Sequence, residues 1–106
     1  MKVLITGSHG QLGRYLIRNA PEYIGDEKID LICPTKSQLD LSDIKSCQLF
    51  LEINKPDWII NSGAFTNVEQ AENFSTLTYN TNTIAPKIFS EWILDNGGKL
   101  LQISTD

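Results

Sequence analysis

The chain has 106 residues, of which 41% are hydrophobic and 21% are charged, and its formal net charge is −4. This length and composition are typical of one globular domain with its own core and exclude two domains. The nine Lys and Arg residues are scattered, which excludes a nucleic-acid partner, and no apolar run reaches the roughly 18 residues of a membrane span.

The first half of the chain alternates between predicted strands and helices. Lys2–Thr6 is an apolar run that ends at a glycine-rich turn, which is typical of a buried strand. A helix is predicted from Gln11 to Ala20, because apolar residues recur on one face and Pro21 ends it. Ile29–Cys33 is predicted to be the second strand. It ends at Pro34.

A second helix is predicted from about Ser42 to Asn54, before the break at Lys55-Pro56-Asp57. Ser42 is its expected N-cap, because a serine hydroxyl can accept a hydrogen bond from the first helical N–H groups. Apolar residues at helical spacing predict its buried face, formed by Ile44, Leu49, Phe50 and Ile53.

In the second half, Trp58–Asn61 and Lys99–Ile103 are predicted strands, and a long helix from about Ser75 to Asp95 connects them. Pro86 predicts a kink or break directly before it, since proline lacks the N–H that the helix needs. Asn96-Gly97-Gly98 predicts a left-handed stop at the helix end.

The resulting β-α-β-α-β-α-β order predicts an α/β fold, with a doubly wound parallel sheet and helices on both faces. With the predicted strands numbered 1 to 4 along the chain, the expected sheet order is 3-2-1-4. The two cysteines, Cys33 and Cys47, lack metal-ligand spacing. We therefore expect free thiols in a reducing, cytoplasmic compartment and no metal site.

Three glycines follow the first predicted strand at the spacing Gly-x-x-Gly-x-x-Gly. Gly7 permits a tight exit from the strand, Gly10 lets the backbone approach a pyrophosphate, and Gly13 allows close helix packing. N–H groups at the helix start then hold phosphates. This pattern predicts a dinucleotide site of the Rossmann type. A structural turn in another kind of α/β domain stays open. His9 on the turn either contacts a phosphate or faces solvent.

The turn Thr6–Gly13 resembles that of the extended short-chain dehydrogenase/reductases. Further segments, in order over essentially the whole chain, resemble the dTDP-4-dehydrorhamnose reductase family: Gly10–Gly13, Ser37–Asp43, Pro56–Asn61, Ala64–Glu69, Ala71–Glu72, Asn82–Pro86 and Ile103–Asp106. The resemblance implies that residues 1–106 are the NAD(P)-binding domain of a longer enzyme. That enzyme would reduce a dTDP-4-keto-6-deoxy sugar to dTDP-L-rhamnose for cell-surface polysaccharide.

By the same resemblance, Asp40 and Leu41 flank the adenine, although Asp40 could instead cap the following helix. The turn segment also places Gln11 and Leu12 against the cofactor. Ala64, Phe65 and Thr66 would line the middle of the cofactor. Asn82 would fix neighbouring loops or a water chain, with a buried, backbone-bonded asparagine as the alternative.

Cofactor choice depends on the end of the second predicted strand, where NAD-specific sites carry an acid that binds the ribose. This chain has Thr35 and Lys36 there, and Asp30 is too early in the strand. We therefore expect NADPH to be accepted and preferred over NADH. Lys36 on a solvated loop is the alternative.

Thr105 resembles the catalytic hydroxyl residue of the family, and with Asp106 it would contact the sugar substrate; a strand-end turn is the alternative. The Tyr-x-x-x-Lys pair that this chemistry needs is missing, because the residues four positions after Tyr15, Tyr23 and Tyr79 are not lysines. We expect a fragment that binds cofactor without reducing a ketone. Its last strand would be an uncovered edge that favours a homo-oligomer.

Two other functions remain compatible with these residues. One is a different sugar-nucleotide reductase or epimerase with the same first half. The other is a non-catalytic NAD(P)-sensing module.

Overall fold

The computed structural model describes residues 1–63 and 79–103. Its elements, in chain order, are β1 (Lys2–Thr6), α1 (Gln11–Asn19), β2 (Tyr23–Ile24), β3 (Glu27–Lys28), β4 (Asp30–Ile32), α2 (Ile44–Asn54), β5 (Trp58–Asn61), a π-helical segment (Asn80–Ile84), α3 (Ala85–Asn96) and β6 (Lys99–Gln102). Strands β4, β1, β5 and β6 lie side by side, in that order, in one parallel sheet. The α/β prediction is confirmed.

The predicted strand order 3-2-1-4 is wrong, because β5 pairs directly with β1 and lies on the opposite side of β1 from β4. The burial of the strands explains this arrangement. Asp30 is exposed and Leu31 is 36% exposed, which suits an edge strand, whereas Ile59 and Asn61 of β5 are fully buried. A strand with buried residues gains more from neighbours on both sides.

Helices α2 and α3 pack together on one face of the sheet. Leu4 of β1 and Ile59 of β5 form the core there with Leu51 of α2 and Phe89 of α3, and all four are at most 1% exposed. Burying apolar side chains from both layers supplies the main driving force for this architecture.

The predicted buried face of α2 is largely wrong. Leu49 and Ile53 are 61% and 68% exposed, Ile44 is also exposed, and Phe50 is half-buried against the core. Its buried residues are Cys47 and Leu51. Apolar residues occupy more than one side of this helix. Packing against α3 and the sheet, which local spacing does not encode, selects the side that becomes buried.

The ends of the helices follow local chemistry. Asp43, not the predicted Ser42, caps α2, since its carboxylate accepts hydrogen bonds from the backbone N–H groups of Lys45 (3.0 Å) and Ser46 (3.2 Å). The chain passes from the π-helical segment into α3 without a break, since Ile84 and Ala85 are both in the right-handed helical conformation, so the break predicted before Pro86 is wrong. Pro86 lies in the first turn of α3, where its missing N–H is tolerated. The part of the predicted helix at 75–78 lies outside the described residues.

The stop after α3 is also confirmed. Gly97 and Gly98 have φ values of +82° and +116°, and the Gly97 N–H donates to the carbonyl of Ile93. A Cβ at Gly98 would lie 2.0 Å from the carbonyl oxygen of Asp57, so the approach to the loop before β5 requires glycine.

A short antiparallel hairpin of β2 and β3 was not expected from the sequence. Its strands have two residues each and are exposed, so they carry no hydrophobic periodicity. Within the described ranges β6 pairs with β5 on one side, and its Leu101 is 54% exposed. None of the described helices is long and apolar enough to cross a membrane.

Candidate functional site

The glycine turn lies at the carboxyl end of β1 and is built by backbone contacts. Gly7 has φ +69°, and a Cβ there would lie 2.8 Å from the backbone N of Gly63, beyond β5. The Gly10 N–H then donates to the Gly7 carbonyl at 3.0 Å. Only glycine allows both the positive φ and this close approach of two chain segments.

Gly13 is buried in the first turns of α1, and its contact is with the turn itself. A Cβ at this position would lie 2.1 Å from the carbonyl oxygen of Gly7. Gly10 is less restricted, because its Cβ would meet the same oxygen at 3.3 Å. The close spacing of the glycines therefore lets α1 begin directly against the strand exit, where its N–H groups lie beside the turn.

The start of α1 suits an anion. Gly10 is the N-cap and supplies no side chain to the first helical N–H groups, and the first turn of the helix contains no acidic residue. N–H groups without intrahelical partners and the positive end of the helix dipole both favour negative charge there. This is the chemistry that phosphate groups require.

A cavity of about 410 Å³ opens beside the turn at the carboxyl ends of β1 and β4. It is lined by the glycine turn, by the loop between β4 and α2, and by residues following β5 and preceding α3, namely Thr6, Gly7, Ser8, His9, Gly10, Pro34, Lys36, Leu39, Asp40, Leu41, Ser42, Gly63 and Thr81. A volume of this size is typical of small-molecule and cofactor sites, and strand carboxyl ends are their usual place in open α/β sheets.

One wall of the cavity contains Asp40 and Leu41. The Asp40 Oδ1 accepts hydrogen bonds from the backbone N (2.9 Å) and the hydroxyl (2.6 Å) of Ser42, which hold the carboxylate in one orientation. Asp40 therefore shapes the loop ahead of α2, while Asp43 caps that helix, and the capping alternative for Asp40 is wrong. The Nδ2 of Asn80 donates to the Ser42 carbonyl at 3.0 Å and ties this wall to the π-helical segment.

Lys36 and His9 supply the basic side chains of the lining. The Ser8 hydroxyl donates to the Pro34 carbonyl at 3.2 Å, which holds the glycine turn against the loop that carries Lys36. Asp30, at the amino-terminal end of β4, is not among the lining residues, as expected from its early position.

Cys47 lies beneath the Asp40 wall and is fully buried. Its Sγ donates to the carbonyl oxygens of Asp40 and Leu41 at 3.7 and 3.9 Å. Burial raises the pKa of Cys47 to about 11, with a smaller contribution from the Asp40 and Asp43 carboxylates. Burial also raises the pKa of Cys33, and both cysteines are free. A protonated, buried thiol such as that of Cys47 is structural.

A hydrogen-bonded set of polar side chains across three strand ends, two of them buried, was not expected from the sequence. The Thr6 hydroxyl donates to Oδ1 of Asn61, and the Asn61 Nδ2 donates to Oε1 of Gln102 at 2.8 Å. Thr6 and Asn61 are 2% and 0% exposed. Thr81 is another lining residue that sequence reasoning missed. These residues belong to different elements, so no local spacing could have grouped them.

The structure brings together some of the predicted cofactor residues and not others. Gly7, Gly10, Lys36, Asp40 and Leu41 line the cavity. Gln11 and Leu12 are exposed at the start of α1 and Gly13 lies behind the turn, outside the lining. Asn82 is also outside the lining of the cavity. Its side chain is exposed and has an interaction partner, so the alternative of a buried, backbone-bonded asparagine is wrong. Ala64, Phe65, Thr66, Thr105 and Asp106 lie outside the described residues. Among the residues that are described, no group of three His, Cys, Asp or Glu side chains could hold a metal.

A parallel sheet whose first strand ends in a glycine turn at a helix start defines the Rossmann-type class of α/β domains. The family model described as RmlD substrate binding domain matches residues 1–106, and the chain belongs to this family.

Several proteins similar to this chain are named dTDP-4-dehydrorhamnose reductases. A dTDP-4-dehydrorhamnose reductase of Mycobacterium tuberculosis is 31% identical over 105 residues, which are 99% of this chain and 33% of the relative. The crystal structure of a dTDP-4-dehydrorhamnose reductase from Clostridium acetobutylicum has a TM-score of 0.81 and 32% identity, covering 98% of this chain and 36% of that one.

A dTDP-4-dehydrorhamnose reductase from Bacillus anthracis, solved in complex with NADP, has a TM-score of 0.74 and 32% identity. The match covers 93% of this chain and 34% of that one. The chain thus spans about a third of the length of the relatives it matches.

Proposed function

We propose that the cavity binds a nicotinamide dinucleotide, NADPH or NADH, and that these 106 residues supply the cofactor-binding part of a dTDP-4-dehydrorhamnose reductase. The bound cofactor would supply hydride for the reduction of a dTDP-4-keto-6-deoxy sugar to dTDP-L-rhamnose. The observation that carries the proposal is the side-chain-free cradle at Gly7, where a Cβ would lie 2.8 Å from the Gly63 backbone N.

The cradle fits a pyrophosphate. The backbone of Gly7 and Gly10 lines the cavity, so a phosphate can approach the chain without meeting a Cβ. The first N–H groups of α1, including those of Gln11 and Leu12, would donate to its oxygens, which is how these exposed residues would contribute. No carboxylate in the first turn opposes the negative charge.

The opposite wall fits an adenine. Leu41 offers an apolar surface, and the Asp40 carboxylate is already oriented by the two hydrogen bonds from Ser42. A carboxylate has about four acceptor positions on its two oxygens, so it can also accept from the exocyclic amine of the base. Lys36 on the same side would attract a ribose 2′-phosphate, and we therefore propose that NADPH is preferred.

The substrate roles rest on the resemblance to the family. Thr105, two residues after the last described one, would orient the sugar carbonyl through its hydroxyl, and Asp106 would contact the sugar. Ala64, Phe65 and Thr66 would line the middle of the cofactor. Since none of the three tyrosines is followed by Lys four positions later, the proton donor is not assigned to this chain.

Calorimetric titration of the chain with NADPH and NADH tests the proposal. We expect saturable binding of both, and its loss in Gly10→Val, which adds a branched side chain to the lining. Gln48→Val, at an exposed position of α2 outside the cavity, is the matched control and should bind normally. Circular dichroism confirms folding of each variant. The absence of binding by the folded chain, or equal binding by both variants, would contradict the proposal.

A further inference from the structure

A continuous series of hydrogen bonds crosses the carboxyl ends of β6, β5 and β1. It begins at the Ile103 carbonyl, which accepts from Nε2 of Gln102 at 3.3 Å. The Gln102 Oε1 accepts from Asn61, and Asn61 accepts from the Thr6 hydroxyl. The series ends where the Thr6 oxygen accepts the Gly63 N–H at 3.3 Å.

The direction of this series depends on Gln102. A backbone carbonyl can only accept, so the Ile103 carbonyl draws the amide nitrogen of Gln102 toward itself and turns the Gln102 oxygen toward Asn61. The Asn61 side chain must then present its NH₂ to Gln102 and its oxygen to Thr6. The hydroxyl of Thr6 therefore donates to Asn61, which leaves its lone pairs for the Gly63 N–H.

The end of the series is a wall of the cavity. Gly63 and Gly7 both line it, and a Cβ on Gly63 would lie 3.4 Å from both the backbone N of Gly7 and the Thr6 Oγ1. At this spacing a small displacement of the Gly63 amide would change the width of the cradle. The Ser62 hydroxyl, which donates to the Thr6 carbonyl at 2.6 Å, holds the same two segments together.

We propose that Gln102 is a positioning residue, which sets the donor and acceptor direction of this series and thereby holds the Gly63 amide against the glycine turn. Its effect on cofactor affinity rests on the proposed function. Gln102 itself does not line the cavity, so it acts through Asn61 and Thr6.

Two substitutions of opposite polarity separate this role from packing. Gln102→Glu keeps an acceptor for the Asn61 NH₂ and preserves the direction. Gln102→Lys offers only donors, so Asn61 can pair with residue 102 only when its amide turns over, and the Asn61 NH₂ then competes with the Gly63 N–H for the Thr6 oxygen. Residue 102 is exposed on an edge strand, and both side chains can be accommodated. Charge alone predicts the opposite order of affinity, because lysine attracts an anionic cofactor and glutamate repels it.

Amide hydrogen exchange of Gly63, followed by NMR on the 106-residue chain without cofactor, reports on the direction directly. We expect exchange about tenfold faster in Gln102→Lys than in Gln102→Glu, because the part-buried hydrogen bond from the Gly63 N–H to the Thr6 oxygen is weakened in the first variant and kept in the second. NADPH affinity should be about fivefold lower in Gln102→Lys than in Gln102→Glu. The pair Leu101→Lys and Leu101→Glu places the same charges one residue away and should show neither difference.

Equal exchange of the Gly63 amide in the two Gln102 variants would overturn the proposal. If Gly63 exchanges faster in Gln102→Lys than in Gln102→Glu but the two variants bind NADPH equally well, the proposed effect of Gln102 on cofactor binding is overturned. If the wild-type chain does not bind NADPH, the proposed function fails, whereas the exchange order still supports or overturns the role of Gln102 in the series.

Discussion

Replacing Gly13 with alanine tests whether the glycine turn and α1 are in contact as described. In an exposed helix interior this change would stabilise the protein by about 1 kcal/mol, because alanine is the better helix former. Here the new Cβ would lie 2.1 Å from the Gly7 carbonyl oxygen, a backbone atom that cannot rotate away. Overpacking of this kind costs about 1–3 kcal/mol. We expect this cost to exceed the gain in helix propensity, because a contact at this distance forces the turn itself to move.

Urea unfolding followed by circular dichroism measures the effect. An overpacking cost near 2–3 kcal/mol, less the gain of about 1 kcal/mol in helix propensity, leaves a net loss of about 1–2 kcal/mol. With a slope of about 2 kcal/mol/M, the midpoint of Gly13→Ala should therefore fall by roughly 0.5–1 M. NADPH binding should weaken as well, since the displaced turn is the proposed phosphate cradle. Arg14→Ala, at the next and exposed position of α1, should stay within about 0.5 kcal/mol of wild type. A Gly13→Ala midpoint at or above that of wild type would refute the reasoning.

Three further predictions concern the cap of α2, the buried thiol and the choice of cofactor. Asp43→Ala should lower the free energy of unfolding by about 1 kcal/mol and Asp43→Asn by much less, as measured in urea; equal losses would argue against the cap. Because burial raises the pKa of Cys47 from 9.0 to about 11, its contribution to stability is present below pH 9.0 and lost as pH rises toward 11. The urea midpoint should therefore fall less steeply between pH 8 and 10.5 in Cys47→Ala than in wild type, and identical pH profiles of the two proteins would contradict the raised pKa of Cys47. Lys36→Ala should weaken NADPH binding about fivefold and leave NADH binding nearly unchanged in calorimetric titrations; a clear NADH preference that the substitution does not alter would contradict the assigned role.

The fold class and the glycine turn could be predicted because their signals are local. The apolar run Lys2–Thr6 and the glycine at position 7 are adjacent in sequence. Position 7 has a positive φ and lies close to another backbone segment, and both conditions favour glycine. Gly97 likewise ends α3 through its own backbone chemistry. Such features need no information from distant parts of the chain.

The errors concern choices that depend on distant partners. Whether β5 lies beside β1 or beyond β4 depends on which strands are buried on both faces, and the sequence signal for this was the charged Asp30, which is exposed on the edge strand β4. In α2, Cys47 is buried and Leu49 is exposed because α3 packs against one side. The hydrogen bond between Asn61 and Gln102 joins residues 41 positions apart. Helical or strand periodicity describes only neighbouring residues and cannot predict such a pair.

The central place of β1 has a consequence for the order of assembly. Its neighbouring strands are formed by residues 30–32 on one side and 58–61 on the other. β1 can therefore pair on both edges only after residue 61 has been synthesised. During synthesis at about 5–20 residues per second, β1 is made before both of its neighbours and remains half-paired for the roughly 1.5–6 s that separate the end of β4 from the end of β5. Non-local pairing of this kind slows folding, and over that interval a chaperone or a second nascent chain could compete for the free edge of β1.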